Sequence, residues 1–266
     1  YNKTNGNPLF LVNLLRAIYD SRYLRFVSSA GWEWDIDGIR GMQVADNVVE
    51  LMTERFAAMD AETQKVLRIA ACVGNRFDLE DMAILLGKNI NDTLADLQKA
   101  IDEGLVYLSN KYYYFLHDKI QEVIYSLLPA DEAALMHYRI GRLFIGKVRD
   151  DELYEKIFYI VNQMNAGSSQ AATRDERIEI ARLNLMAGHK AKSATAYAEA
   201  LKYFGSGIAL LEGDSWERDY RLTYDLHIEK AECEYLDGDY DGAFGHLDHI
   251  LDHAGGPIDR ARVYDK

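Results

Sequence analysis

The stretch "LMAGHKAKSATAYAEALKYFGSGIALL", residues 185–211, decides the fold of the second half of the chain because its pattern returns downstream. The stretch "KAECEYLDGDYDGAFGHLDHIL", residues 230–251, has the same register 43 residues later. Small or apolar residues occupy the equivalent positions, which are Gly188 and Ala231, Ala200 and Ala243, Phe204 and Leu247, and Gly207 and Ile250. Tyr197 and Tyr240 stand three residues before the paired alanines. The spacing therefore predicts two copies of one structural unit.

Each copy predicts a pair of helices that packs against the next copy. Small residues at fixed positions let the paired helices approach closely, and stacking of neighbouring pairs builds a continuous core. This is the tetratricopeptide (TPR) pattern, with helices longer than those of the usual unit of about 34 residues. Because every segment from Asp131 onward has helical periodicity, the sequence predicts a TPR-like α-α superhelix over residues 130–266, incomplete at its C-terminal end.

Upstream of the repeats, apolar residues at helical spacing predict four short helices between residues 49 and 104. The stretch "LVYLSNKYYYFLH", residues 105–117, follows as two strands around Ser109 and Asn110. Three helices and a two-stranded wing, preceded by one extra helix, predict a winged-helix domain over residues 46–129. The chain has only three prolines, and so few helix breakers favour a mainly α fold.

The wing runs directly into a further helix at "HDKIQ", residues 117–121. Asp118 is the predicted N-cap of that helix, Gln121 completes a capping box, and His117 is assigned to the end of the strand. This arrangement explains why an aspartate stands at position 118, but it assigns no function to the imidazole of His117.

Near the N-terminus, "LRFVSSAGWEWDI", residues 24–36, alternates in polarity on either side of a turn and predicts a β-hairpin. Trp32 and Trp34 could stack on a sugar or a base, but strand aromatics pack more often into a core. Core packing is therefore the favoured interpretation. Asn7 and Pro8 further predict the N-cap and the first turn of a helix that precedes the hairpin.

The charge of the chain argues against nucleic acid and membrane as partners. The net charge is −13, with −5 in residues 1–129 and −8 in residues 130–266, so both halves repel phosphate groups. The helix at the recognition position of the winged-helix domain, within residues 91–104, is itself acidic. No run of about 18 apolar residues is present in the sequence. Cys72 and Cys233 lie far apart and predict reduced core thiols in a cytoplasmic protein.

Two short motifs suggest chemistry that their context does not support. "GRLFIGKV", residues 141–148, matches G-x-x-x-x-G-K, but its interior is bulky and helix-forming, and Val148 replaces the hydroxyl that would hold magnesium. His246, His249 and His253 lie along one helix, and the last two have a spacing that can chelate a metal. A solvent-exposed helix face is the favoured interpretation. The sequence therefore predicts neither catalytic residues nor a metal site in this chain.

A family resemblance suggests a function for the imidazole of His117. A winged helix whose second wing strand ends in "FLHD", residues 115–118, resembles the signal-transduction ATPases with numerous domains (STAND). In that class the histidine of a Met-His-Asp-like motif reaches the nucleotide phosphates and holds the closed state, and this chain has Leu116 in place of Met. "GNPLFL", residues 6–11, resembles the Gly-x-Pro lid motif of the class, whose proline packs near the adenine. The resemblance implies that Pro8 and His117 contact bound ATP or ADP.

More narrowly, the chain resembles the central ATPase region of large bacterial hybrid sensor kinases, which also have serine/threonine-kinase-like, GAF and histidine-kinase domains. Residues 1–45 would then be the end of the ATPase lid with a β-hairpin linker. The phosphate loop and its acidic partner are absent from the sequence. ATPase activity is therefore implied only for a longer parent protein, of which this chain is expected to be a fragment.

The resemblance implies a non-catalytic regulatory arm for signal transduction. The arm would couple the nucleotide state of an upstream nucleotide-binding domain, a partner in cis, to a protein partner or signalling ligand on the repeats. Two alternatives stay open: a plain TPR-like protein-interaction scaffold, and an arm of a large ATP-dependent transcription regulator. The acidic helix within residues 91–104 argues against DNA contact by this segment.

We expect the chain not to bind duplex DNA at physiological salt, because its net charge is −13 and its recognition-position helix is acidic. An electrophoretic mobility shift measured at about 0.15 M salt should show no complex in the micromolar range, where even non-specific DNA-binding proteins associate. A dissociation constant tighter than micromolar would contradict this expectation.

Overall fold

A computed structural model describes residues 11, 14–15, 18–19, 21–29, 31–41 and 48–265. Contacts separate the chain into two units, residues 1–128 and 129–266. Helices dominate both units, which confirms the prediction of a mainly α fold. None of the helices in the described ranges is long and apolar enough to cross a membrane. The predicted helix start at Asn7 and Pro8 lies outside the described residues.

The described part of the first unit holds two small antiparallel sheets and a set of short helices. Its elements in chain order are β1 (Leu24–Val27), β2 (Gly31–Trp34), α1 (Ile36–Gly41), α2 (Val48–Ala57), α3 (Ala61–Val73), β3 (Arg76–Phe77), α4 (Leu79–Leu86), α5 (Ile90–Asp102), β4 (Val106–Ser109), β5 (Tyr112–Phe115) and α6 (Asp118–Ser126). The predicted helices between residues 49 and 104 are all present as α2 to α5.

The predicted hairpin is present, but its tryptophans are not in a core. Strands β1 and β2 pair antiparallel, with Leu24 opposite Trp34 and Phe26 opposite Trp32. Trp32 is 54% exposed and Trp34 is 64% exposed, so the prediction of core packing is wrong for both. Phe26 and Trp32 instead make an edge-to-face contact with ring centroids 5.4 Å apart. Alternation shows which side chains share a face of a strand, but it does not show whether another element covers that face.

A three-stranded antiparallel sheet with the order β3-β5-β4 organises the first unit. The sequence pattern missed β3 because its two residues are too few to show alternation. Phe77 on β3 contacts Tyr113 and Phe115 on β5, and all three rings are buried. Val66 and Leu67 of α3 are fully buried and extend the apolar core of the unit. Helices and wing follow one another in the predicted order, while the winged-helix name for the unit remains a prediction.

Side-chain caps explain where three helices of the first unit begin. Asp60, Asp78 and Asn89 precede α3, α4 and α5, and each side chain accepts a hydrogen bond from the backbone N–H three residues later. These bonds satisfy backbone donors that have no partner within the helix. Gly87 and Gly104 then take positive φ angles of 68° at the ends of α4 and α5. Glycine adopts this conformation without steric strain, so both helices end there.

The second unit consists of helices arranged in antiparallel pairs. Its elements in chain order are α7 (Ala130–Lys147), α8 (Asp150–Ala166), a 3₁₀ turn (Ser168–Gln170), α9 (Arg174–Ser193), α10 (Tyr197–Ala209), α11 (Ser215–Arg218), α12 (Tyr220–Asp237), α13 (Tyr240–His253) and α14 (Pro257–Tyr264). Within residues 129–265, the pairs α7–α8, α9–α10 and α12–α13 pack in chain order and α14 follows them. This arrangement confirms the TPR-like α-α superhelix.

The 43-residue register extends one pair further upstream than the sequence pattern showed. Ile157, Ala200 and Ala243 are equivalent in the three pairs, and all three are buried. Met164 of the first pair likewise corresponds to Gly207 of the second, and both are buried. The first pair could not be recognised from its sequence because Ile157 is large where the later pairs have alanine. Spacing, and not residue size, is the feature shared by all three pairs.

The turn inside a helix pair repeats a backbone conformation as well as a spacing. Thr195 and Gly238 are 43 residues apart and have φ angles of 58° and 93°. Glycine adopts positive φ freely, whereas a β-branched threonine is strained there. The second pair therefore keeps the same turn as the third pair at a cost in backbone strain.

The phosphate-loop look-alike "GRLFIGKV" forms the last turns of α7, and Val148 is the residue that ends that helix. Its backbone N–H groups are thus used within a helix, as its bulky, helix-forming interior predicted. Gly141 has a packing role instead, since a Cβ placed there would lie 2.3 Å from the sulfur of Met164 on α8. The glycine lets α7 and α8 approach closely.

Replacing Gly188 by alanine should destabilise the second unit. A Cβ at this position would lie 2.2 to 2.6 Å from ring atoms of Phe204, which is fully buried. Overpacking of this kind costs about 1–3 kcal/mol. Urea denaturation followed by circular dichroism should show the loss.

Gly205→Ala is the matched control for this substitution. Gly205 lies in the interior of α10, and a Cβ there would meet nothing within 4 Å. Alanine is a better helix former, so Gly205→Ala should stabilise the unit by up to about 1 kcal/mol. Equal stability of the two variants would show that the close approach at Gly188 has no energetic weight.

Candidate functional site

His117 occupies the junction between the sheet and the last helix of the first unit. His117 follows the end of strand β5, and backbone hydrogen bonds fix this end of the strand on both sides. Phe115 N donates to Asn75 O at 3.1 Å, and Leu116 N donates to Leu105 O at 2.9 Å. The side chains of Phe115 and Ile120, on either side of the junction, are buried. The backbone at His117 is therefore fixed while its side chain remains exposed.

The structure corrects the predicted cap of α6. His117, and not Asp118, is the N-cap residue, and its Nδ1 accepts a hydrogen bond from the backbone N–H of Lys119 at 3.1 Å. Asp118 is the first residue of the helix and lies exposed in its first turn, where a carboxylate is favourable to the helix dipole. The imidazole of His117 therefore has a structural function, which is to cap helix α6.

The predicted capping box is also replaced by a longer-range contact. Gln121 Nε2 donates to the carbonyl oxygen of Ala71 at 2.7 Å, which ties α6 to α3. A capping box would have required Gln121 to reach back to the start of its own helix. Fifty residues separate the two groups in the chain, so local spacing could not reveal this bond.

The cap leaves one ring nitrogen of His117 available. Because Nδ1 accepts a hydrogen bond, the proton of the neutral ring is on Nε2. An exposed Nε2–H at the beginning of a nine-residue helix can donate to an anionic oxygen, and the helix dipole favours negative charge at that end. Lys119, also in the first turn, forms an ion pair with Glu122 at 2.7 Å. The arrangement can bind an oxyanion, but it provides no nucleophile and no acid–base pair.

Pro8, the other predicted nucleotide contact, lies outside the described residues. The joint role of Pro8 and His117 therefore stays a prediction.

Helix α5, at the predicted recognition position, has an acidic surface that is partly neutralised by a lysine outside the helix. Lys88 Nζ lies 2.6 Å from Asp96 of α5 and 2.6 Å from Glu62 of α3. These two hydrogen bonds raise the pKa of Lys88, so its positive charge is permanent and already paired.

Polar contacts join the first helices of successive pairs in the second unit. Tyr138 of α7 donates to Glu176 of α9 at 2.7 Å, and Lys192 of α9 lies 2.7 Å from Glu229 of α12. Burial opposes ionisation of Glu229, but hydrogen bonds from His189 and Lys192 lower the pKa of its carboxyl group to about 2. Each of these two junctions therefore includes a carboxylate, Glu176 or Glu229, that stays ionised near neutral pH.

The three histidines of α13 are only partly a solvent-exposed face. His249 and His253 are exposed, as expected, but both rings contact Trp216, and His246 lies against the buried Glu234 with Nδ1 2.7 Å from Oε2. No group of three or more metal-ligating side chains within the described residues could hold a metal ion.

No family model matches the chain. A curated protein, the hybrid signal transduction histidine kinase G of Dictyostelium discoideum, is 27% identical to it over an alignment of 300 residues. The alignment covers 89% of this chain and 9% of that protein, so the chain spans a small part of its relative.

Among solved structures, the chain matches a STAND protein with a tetratricopeptide repeat sensor from Pyrococcus horikoshii at 14% identity and a TM-score of 0.33. The match covers 99% of this chain and 45% of that chain. A TM-score this low does not establish a shared fold.

Removing the cap at His117 should destabilise the first unit. His117→Ala loses the side-chain acceptor for Lys119 N, and loss of a cap costs typically about 1 kcal/mol. His117→Asn should retain most of the stability, because asparagine is among the preferred N-cap residues. Urea denaturation of the chain measures both effects.

Asp118→Ala is the control that separates the two candidate caps. It should cost only a few tenths of a kcal/mol, through the helix dipole. A larger loss for Asp118→Ala than for His117→Ala would restore the cap that the sequence predicted.

Proposed function

We propose that the chain is a non-catalytic regulatory arm of a STAND-type signal-transduction ATPase. In this function the first unit responds to the nucleotide state of an upstream nucleotide-binding domain. The helical repeats of the second unit receive the signal from a protein partner or a ligand. The function is switching between closed and open states and not chemistry within this chain.

The observation that supports the proposal most directly is the geometry of His117. Its Nδ1 is used in capping α6, so its Nε2–H is exposed at a helix N-terminus that favours anions. A histidine in the STAND resemblance has to reach a phosphate, and a capped, neutral imidazole is suited to donate one hydrogen bond. The alignment with a hybrid signal transduction histidine kinase over 89% of this chain also favours signalling.

The residues present fit one phosphate oxygen of ATP or ADP and no more. His117 would hold that oxygen, and Pro8 would pack near the adenine as the resemblance implies. Asp118, which is exposed in the same first turn, opposes a second phosphate contact. The nucleotide supplies charge that favours the closed state when it is bound, and the remaining contacts would have to come from the nucleotide-binding domain. This chain alone should therefore not bind nucleotide tightly.

The proposal is tested in a longer protein that contains both this chain and the upstream nucleotide-binding domain that the proposal requires. Release of a fluorescent ADP analogue is measured for the wild-type protein and for His117→Asn, which keeps the cap but lacks Nε2–H. A charge-assisted hydrogen bond to phosphate contributes about 1.5–3 kcal/mol. His117→Asn should therefore release nucleotide about ten- to a hundredfold faster.

His189→Asn is the matched control, because His189 is an exposed histidine in the second unit and distant in the chain from α6. It should release nucleotide at the wild-type rate. Equal release by wild-type and His117→Asn proteins would contradict a phosphate contact and favour a plain protein-interaction scaffold.

A further inference from the structure

Trp216 lies at the centre of a cluster of imidazole rings in the last helix pair of the second unit. It stands on α11, between His227 of α12 and two histidines of α13. The ring centroids lie 5.2 Å from His227, 4.8 Å from His253 and 5.8 Å from His249, and the first two contacts are stacked. His227 also lies 5.2 Å from His249. The cluster therefore joins α11, α12 and α13.

His227 is the buried member of this cluster. Only 9% of its surface is exposed, and its Nδ1 has no hydrogen-bond partner in the part of the chain that the structure describes. A protonated ring at this position would be a buried charge that needs a partner.

The charged and titratable groups around His227 are all basic. Lys230 lies on its own helix, and His246, His249 and His253 face it from α13, while the contact from α11 is the uncharged indole of Trp216. The carboxylate of Glu234 is engaged elsewhere, at 2.7 Å from His246 and 3.3 Å from Lys230. Burial first, and then the neighbouring basic groups, lower the pKa of His227 to about 4.

The apolar support for this region is small. A separate cluster of buried residues holds α13 and α14 against α12 and comprises Tyr224, Ile228, Ile250 and Val263. The larger core of the second unit lies in the pairs that precede it and extends into α12 through Leu226 and Cys233. Opening of α13 and α14 would therefore leave the earlier helix pairs intact, as expected for an array in which each repeat contacts only its neighbours.

We propose that Trp216 and its histidines form an acid-sensitive latch, which holds α13 and α14 against α12 at neutral pH and releases them on acidification. Protonation of His227 is incompatible with the closed cluster, because this ring is buried and the charged groups that act on it are basic. Once α13 has moved away, His227 reaches water and accepts a proton freely. Acid thus favours the open state.

The pH window follows from the shifts of the two histidines. In the open state His227 has an ordinary pKa near 6.5, and in the closed state burial and basic neighbours hold the pKa at about 4. The stability of the closed state is therefore complete above about pH 6.5 and declines as the pH falls toward 4. For one proton taken up on opening, the opening equilibrium constant rises about tenfold per pH unit within this window. Burial and the neighbouring histidines also lower the pKa of His249, which acts in the same direction.

Hydrogen exchange followed by mass spectrometry tests the latch in the chain as it stands. Peptides from residues 240–264 are compared at pH 7.5, 6.0 and 5.0 after correction for the intrinsic exchange rate, and peptides from α9 and α10 serve as the internal control. The opening constant of residues 240–264 should rise about tenfold from pH 6.0 to 5.0. The control peptides should remain unchanged over the same interval.

His227→Phe keeps an aromatic ring against Trp216 but cannot take up a proton, so it should lose most of the pH dependence. His189→Gln, at an exposed histidine outside the cluster, should retain it. If His227→Phe does not fold, His249→Gln provides the second test, because it removes a titratable ring that faces His227 and should weaken the pH dependence. Residues 240–264 that open no more at pH 5.0 than at pH 7.5 in the wild-type chain would overturn the proposal. A wild-type pH response in His227→Phe would do the same.

Discussion

The second unit depends on how closely the backbones of neighbouring helices approach. At Gly188 a Cβ would overlap the ring of Phe204, and at Gly207 it would come within 2.8 Å of Leu226. Both contacts involve α10, one within its own pair and one toward the next. Close approach therefore links pair to pair, and the continuous core follows from it. The polar contacts between successive first helices, such as Tyr138 with Glu176, require the same spacing.

The sequence predicted features that depend on local spacing and missed those that depend on tertiary partners. The second and third helix pairs were found because small residues recur at a fixed interval. The first pair was missed because Ile157 is large where the later pairs have Ala200 and Ala243. Size can vary between pairs when the facing residue compensates, and Gly141 opposite Met164 is such a compensation. A search for small residues alone therefore misses the first pair, whereas burial at constant spacing identifies all three pairs.

At the candidate site the same distinction separates what was predicted from what was not. The start of α6 was placed correctly, yet the cap was assigned to Asp118 and not to His117. Aspartate is the more common cap, and Gln121 at the right spacing made a capping box plausible. The structure uses Gln121 for a bond to Ala71 on another helix, which no local pattern contains. His117 then takes over capping, and this assignment fixes which ring nitrogen can meet a ligand.

One repeated position shows how stability can differ along the array. The residues equivalent at this position are Gly141, Asn184 and His227 in successive pairs. In the middle pair Asn184 is fully satisfied, since it exchanges hydrogen bonds with Asn165 at 2.7 and 2.8 Å and also donates to a backbone carbonyl. In the last pair the imidazole has an unpartnered Nδ1 and relies on stacking with Trp216.

A buried polar group that lacks a partner costs more than one that is bonded. The last pair is also supported by the smaller of the two apolar clusters in the unit. Both features act in the same direction, so among the described helix pairs opening should begin at α13 and proceed toward the pairs with the larger core. An array that opens from one end can release its last pair without losing the surface formed by the others. A signal received there would thus reach the rest of the unit through the contacts of α12, which belongs to both clusters.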